Sequence, residues 1–153
     1  MQFDLATLLA QWAAGGLLFC WVTTRRREVG IGYGWLLRSS FGVMAILSVS
    51  GFPAVPFTFL GFPPSRRGER DRWYAAHAGR AGTAVLFESP FRIVESLEAL
   101  AAGWGDPPVA LGRELTKIHE EVLRGTASAV AKTLAARPAV KGEIVIAIAP
   151  PPA

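Results

Sequence analysis

Two apolar rhythms alternate along the chain from residue 57 onward. Short uninterrupted apolar runs predict strands, and apolar residues three and four apart predict helices. Phe57 to Leu60 is a short strand set among the prolines and glycines of GFPAVPFTFLGFPPSRRGER. Ser65 is placed to cap a helix carrying Glu69, Arg70, Asp71, Arg72, Trp73, Tyr74 and His77, and Gly79 ends it. Thr83 to Glu88 (TAVLFE) predicts a buried strand, and Ser89-Pro90 breaks it. A helix from Phe91 to about Ala102 follows, with Ile93, Val94, Leu97 and Leu100 as its apolar stripe. Gly103, Gly105 and Pro107-Pro108 close it. Val109 to Leu115 and His119 to Arg124 predict two further strands. Thr126 or Ser128 then caps a helix through Ala136, which Pro138 ends. Lys141-Gly142 opens a last strand, Glu143 to Ala149. The order β, helix, β, helix, β, β, helix, β predicts one α/β layer domain with a mixed sheet.

The first part of the chain reads differently. Leu5 to Val22 is an uncharged run of 18 residues, followed by Arg25, Arg26 and Arg27. At about 1.5 Å rise per residue it is long enough for most of a ~30 Å hydrocarbon layer. The arginines would then stay cytoplasmic, with Met1 outside. The competing expectation is a buried helix of a soluble protein, favoured by Gln11 and Gly15-Gly16. A secretory signal fits poorly, because the basic cluster follows the apolar run. Gly30, Gly32 and Gly34 form a GxGxG, but TTRRRE before it is a poor strand and no acidic residue follows at the usual distance. A flexible connector is expected there. Phe41 to Val49 is apolar but too short to span a membrane alone. The chain thus divides into residues 1–43, an apolar helical segment that is transmembrane or covers a core, and residues 44–153, the α/β domain. A helix of the first part is expected to cover any sheet face that the second leaves bare.

Composition narrows the chemistry. With 51% apolar and 18% charged residues, a disordered polyelectrolyte is excluded. The formal charge of +4 is compatible with nucleic acid without identifying it. One cysteine, Cys20, rules out an internal disulfide and a cysteine-based zinc site. Two histidines, His77 and His119, leave little for a metal cluster, and both read as surface or packing residues. No metal ligand is assigned. No Ser-His-Asp arrangement and no P-loop lysine is present.

Four polar clusters lie where strands are expected to end, which is where open α/β sheets bind ligands. SRRGERDR, residues 65–72, suits phosphate contact, since a guanidinium fork matches two phosphate oxygens; the competing reading is a solvated helix face. Glu88-Ser89-Pro90-Phe91-Arg92 flanks a strand-to-helix turn with opposite charges. In Arg113-Glu114-Leu115-Thr116-Lys117, strand alternation would send Arg113 and Lys117 to one face and Glu114 and Thr116 to the other. Lys141-Gly142-Glu143 permits a tight turn or the close approach of a ligand.

Taken together, SVSGFP, FTFLGFPP, FESPFRI, RELTK-x-HEE-x-x-RG and KGE resemble the C-terminal half of the tetrapyrrole-methylase superfamily. The nearest branch is the RsmI-type 16S rRNA 2′-O-ribose methyltransferases, and the resemblance spans about Met44 to Ala149. It implies two α/β domains with S-adenosylmethionine in the cleft between them, a cytidine ribose of the small ribosomal subunit as substrate, a homodimer and a cytoplasmic location. Carried onto this sequence, it assigns Glu88, Arg113 and Glu114 to catalysis. It assigns Thr116, Lys117, Gly142 and Glu143 to the cofactor, and Arg66, Arg67, Arg70, Arg72, Ser89, Arg92 and Lys141 to RNA. The family's Pro-Ile-Gly-Asn start, Asp-Thr-Arg segment and Ser-Asp-Ala-Gly-x-Pro loop do not occur in these residues. A methyltransferase by descent, weak or inactive alone, is therefore expected. The alternative is a non-catalytic interaction or RNA-docking module tethered at the inner membrane through residues 5–22.

Overall fold

The computed structural model describes residue 7, residues 11–16, residues 31–115 and residues 117–151, without the side chains of residues 31–39. Most of the Leu5–Val22 run, the Arg25–Arg27 cluster, Gly30 and Thr116 lie outside the described residues. Residues 11–16 are helical, and Ala13 is buried. A Cβ added at Gly16 would run into the Phe41 ring, so a bare backbone suits this approach. Among the described residues no helix is long and apolar enough to cross a membrane.

The elements are α1 (Ile31–Ser50), β1 (Phe57–Gly61), α2 (Arg67–His77), β2 (Thr83–Glu88), α3 (Ile93–Trp104), β3 (Pro108–Arg113), β4 (Glu121–Thr126), α4 (Ala127–Ala135) and β5 (Ile144–Ile148). From β1 on, their order is the one the apolar rhythm predicts. The five strands form one sheet in the order β1-β2-β5-β3-β4. β1 pairs parallel with β2, and the other three pairings are antiparallel. This is the expected mixed sheet.

Side chains alternate between the two faces of the sheet. On one face Leu86, Leu111, Ile144, Ile146 and Ile148 pack with Tyr74, Leu97, Leu100 and Leu134 of α2, α3 and α4. On the other, Val85, Ala110, Val145 and Ala147 pack under Val43, Ile46 and Leu47 of α1. Every residue of β5 is buried, because it is the central strand with helices on both sides. Each Leu or Ile so buried contributes roughly 1.5–3 kcal/mol relative to exposure.

Several boundaries differ from the sequence expectation. Gly32 and Gly34 are no connector but lie in the first turns of α1. The later part of that helix is buried on the sheet, and this packing outweighs glycine's poor helix propensity. The helix runs unbroken through residues 43 and 44. Arg66, not Ser65, is the N-cap of α2, and no side chain caps it. α3 begins two residues late, at Ile93, because Ser89 to Arg92 form a turn of their own: Ser89 Oγ accepts from Phe91 N–H at 3.3 Å and Ser89 O from Arg92 N–H at 3.0 Å. β3 stops at Arg113, since Glu114 takes φ +50° and cannot continue a strand. β4 begins at Glu121, two residues past His119.

Candidate functional site

The strand pairing brings most of the polar clusters to one end of the sheet. Glu88 and Arg113, at the ends of β2 and β3, both stand opposite Ile144 at the start of β5. Arg113 also stands opposite Glu121 at the start of β4. The residues leaving β2 and β3 and those entering β4 and β5 therefore share one rim.

Glu114, Lys117 and Glu143 form the rim's most connected part. Lys117 Nζ donates to Glu114 Oε1 at 3.0 Å and to Glu143 Oε2 at 3.1 Å. Glu114 and Glu143 also exchange backbone contacts: Glu114 N–H donates to Glu143 O at 2.9 Å, and Glu143 N–H donates to Glu114 Oε1 at 2.7 Å. Gly142 lies at φ +101°, and a Cβ there would come within 2.5 Å of Glu114 Cγ. Glycine is thus required twice, for its backbone angle and for room. Burial would raise the Glu114 carboxyl, but the Glu143 N–H and the Lys117 ammonium hold it below the ordinary range. Burial would lower Lys117, and its two carboxylate partners raise it instead. The expected alternation is overturned here. The backbone leaves the strand at Glu114, so Glu114 and Lys117 meet rather than point to opposite faces.

A second cluster lies beside it. Arg113 Nε donates to Glu121 Oε2 at 3.0 Å, and its Nη1 donates to the carbonyl of Lys141 at 3.2 Å. Arg137 closes a fork on the same carboxylate, at 2.8 and 2.6 Å. Arg137, with Arg113 and against the opposing effect of burial, holds the Glu121 carboxyl down at about 2. Arg113 thus ties β3 to the Lys141–Glu143 turn. Glu121 and Arg137 were not among the residues singled out from sequence. Glu121 was legible as the opposite charge facing Arg113 across an antiparallel pair. Arg137, on the chain leaving α4, carried no such signal.

Glu88 is where the assigned roles shift most. Its side chain is fully buried; its Oε1 accepts from Ser89 N–H at 2.6 Å and lies 3.0 Å from Arg92 Nη2. Its Oε2 is buried with no hydrogen-bond partner. In this arrangement Glu88 braces the Ser89–Arg92 turn from inside the fold. Arg70 is corrected likewise. It is 1% exposed, donates to Ser65 O and to Oε2 of the exposed Glu95, and joins α2 to α3. No RNA contact is open to it. Arg66, Arg67 and Arg72 remain on the exposed face of α2, with Arg66 paired to Glu69 at 3.3 Å and Arg72 Nε donating to Gly68 O. Ser89 and Arg92 are half-buried in their turn, and Lys141 is exposed. His77 packs on Trp73, with ring centroids 4.4 Å apart. Among the described residues no group of His, Cys, Asp and Glu is arranged to hold a metal.

No family model matches the chain. Curated relatives do. The chain is 43% identical over 108 residues to the ribosomal RNA small subunit methyltransferase I of Mesorhizobium japonicum, a match covering 70% of this chain and 37% of that protein. It is 39% identical over 99 residues to the Hydrogenobaculum protein of the same name, covering 65% of this chain and 43% of that one. It is 42% identical over 108 residues to the Mycobacterium tuberculosis protein, covering 70% and 37%. The chain spans about two-fifths of the length of these relatives. Among solved structures it is similar to the cobalamin biosynthetic enzyme cobalt precorrin-4 methyltransferase, CbiF, with a TM-score of 0.50 and 18% identity over 77% of this chain and 57% of that one. At that identity the likeness establishes the fold, a methyltransferase-like mixed α/β architecture. Over its matched stretch, the chain is a homologue of proteins named ribosomal RNA small subunit methyltransferase I.

Proposed function

We propose that this chain contributes the C-terminal α/β part of a cytoplasmic, S-adenosylmethionine-dependent enzyme that methylates the 2′ oxygen of a cytidine ribose in 16S rRNA, acting as a homodimer. The observation that carries the reading is the convergence of the RELTK and KGE segments on one sheet end, where Lys117 joins Glu114 to Glu143. The names of the relatives favour this enzyme over a membrane-tethered docking module.

The residues of the rim fit a nucleoside cofactor. Glu143 stays largely exposed, so its carboxylate can accept from hydroxyl or ammonium groups. Gly142 keeps the turn beside it narrow. S-adenosylmethionine, when bound, supplies a methyl group already activated on a sulfonium. What remains for the protein is to hold the ribose hydroxyl in line with that methyl, and to help remove its proton. Glu114, held below the ordinary carboxyl range and bonded to Lys117 and Glu143, is a poor proton acceptor and serves to position the turn. Lys117 fixes the orientation of Glu143.

A cleft holds two reactants in register only when both walls are present. The 153 residues alone are therefore expected to bind S-adenosylmethionine more weakly than micromolar, and to transfer no labelled methyl to small ribosomal subunits. Adding the N-terminal portion of a relative, with the motifs missing here, is expected to restore transfer, and Glu143→Ala to reduce it about tenfold or more. Transfer by the lone chain, or a restored activity indifferent to Glu143→Ala, sinks the reading.

A further inference from the structure

Two large apolar side chains stand almost wholly in water at the rim: Phe91 at 92% and Ile118 at 96% exposure. Single exposed apolar residues are ordinary on protein surfaces. Phe91 differs in how firmly it is held out. Its own N–H is bonded to Ser89 Oγ, the next N–H to Ser89 O, and the next side chain, Arg92, to the buried Glu88. Glu88 in turn accepts from Ser89 N–H. Four contacts within five residues thus fix a turn whose one outward group is an aromatic ring. A buried carboxylate is a costly brace for a mere connection.

Its neighbours are cationic. β1 and β2 are parallel, so the connections leaving them, residues 62–66 and 89–92, emerge at the same end of the sheet. The helices they enter are joined near their starts by Arg70 and Glu95, 3.0 Å apart. This sets the exposed Arg66 and Arg67, at the start of α2, at the same end of the sheet as the turn that carries Phe91. Arg66 shares its charge with Glu69, and Arg67 makes no ion pair among the described residues. Apart from Lys141, the rest of the rim is nearly self-neutralised: Lys117 with Glu114 and Glu143, and Arg113 and Arg137 with Glu121. Phosphate attraction from these paired groups is weak, which gives ring stacking a large share of the hold on a nucleotide.

We propose that Phe91 is a stacking platform for an unpaired RNA base, with Arg67 reaching the adjoining phosphate. The inference rests on the RNA-directed reading above and adds to it the residue that receives the base. Stacking tolerates any base, because every base has a flat face, and it is lost when the ring is lost. Phosphate contact is salt-dependent and stacking is not.

The test uses the 153-residue chain and a fluorescent single-stranded oligocytidylate, followed by anisotropy across a salt series. Phe91→Ala is expected to weaken binding about tenfold without changing the dependence on salt, Phe91→Leu to do the same, and Phe91→Trp to restore it. Arg67→Ala is expected to flatten the salt dependence instead. The near-complete exposure of Phe91 means that these variants keep the fold, which circular dichroism checks. Equal affinity of Phe91→Ala and the parent overturns the stacking role while leaving RNA binding in place, and so does full affinity of Phe91→Leu. Failure of the parent to bind overturns this inference, while the RNA-directed reading stands or falls on methyl transfer by the chain supplemented with the N-terminal portion. Concentration-dependent self-association that Phe91→Ala abolishes assigns the ring to a second copy of the chain, and overturns the base.

Discussion

Glu121 receives three hydrogen bonds from two guanidinium groups, Arg113 and Arg137, and its carboxyl sits at about 2 against an ordinary 4.5. A carboxyl lowered by folding stabilises the protein above its unfolded value, and this contribution fades as pH falls toward the folded one. Glu121→Gln keeps the shape and removes the charge. At neutral pH it is expected to cost about 2 kcal/mol, the usual worth of hydrogen bonds to a charged group. The gap to the parent should close between about pH 4.5 and 2, because protonation then removes from the parent the charge that the variant already lacks. Urea unfolding across that range measures it, and a gap independent of pH would show that Glu121 acts by packing alone. The same chemistry separates the site residues from one another. Glu143 and Lys141 are open to a ligand, whereas Arg70 and Glu88 are internal braces.

The start of α4 shows how an element is held at both its sequence and its spatial neighbours. Thr126 Oγ1 accepts from Ala129 N–H at 3.3 Å, and Asp106 accepts from Ser128 N–H at 2.8 Å and from Ser128 Oγ at 2.7 Å. Of the two caps open from sequence, Thr126 is the one at the N-cap, while Ser128 binds a residue on the chain leaving α3. The first turn of a helix leaves amide groups unpaired, and here two different side chains each satisfy one. Thr126→Ala is expected to lower stability by about 1 kcal/mol, with the Asp106 contact still in place. Replacing both Thr126 and Asp106 should cost more than either alone. Thermal unfolding of the three variants checks this, and a silent Thr126→Ala would show that Asp106 alone suffices.

For the whole molecule the critical contact is that of α1 on the sheet. Val43, Ile46 and Leu47 cover Val85, Ala110, Val145 and Ala147, the face opposite α2, α3 and α4. Without that cover a broad apolar surface would face water, a condition that favours association. Ile46 is wholly buried at this contact. Ile46→Asp places an unpaired charge there and is expected to cost more than about 3 kcal/mol. The expected signs are increased binding of a hydrophobic dye and self-association in sedimentation, whereas a monomer with unchanged dye binding would mean that α1 is dispensable to the sheet. The sheet is covered by α1 through Val43, Ile46 and Leu47, at and beyond the boundary expected at residue 43.

Local pattern was enough to order the elements from β1 to β5 and to mark β2 as a buried strand, because period and turn chemistry are properties of neighbouring residues. The motif segments were legible too, since each is a short contiguous run. Which of their side chains would face a ligand was not. Arg70 and Arg67 lie three residues apart on one helix, yet one is sealed against Glu95 and the other is open to water. Glu114 and Lys117 meet only because the backbone turns left-handed at the end of β3, and Arg137 reaches Glu121 only across the packed end of α4. Such pairings depend on which strands become neighbours. The order β1-β2-β5-β3-β4 follows from burying two apolar faces at once, a property of the assembled sheet that no single segment carries.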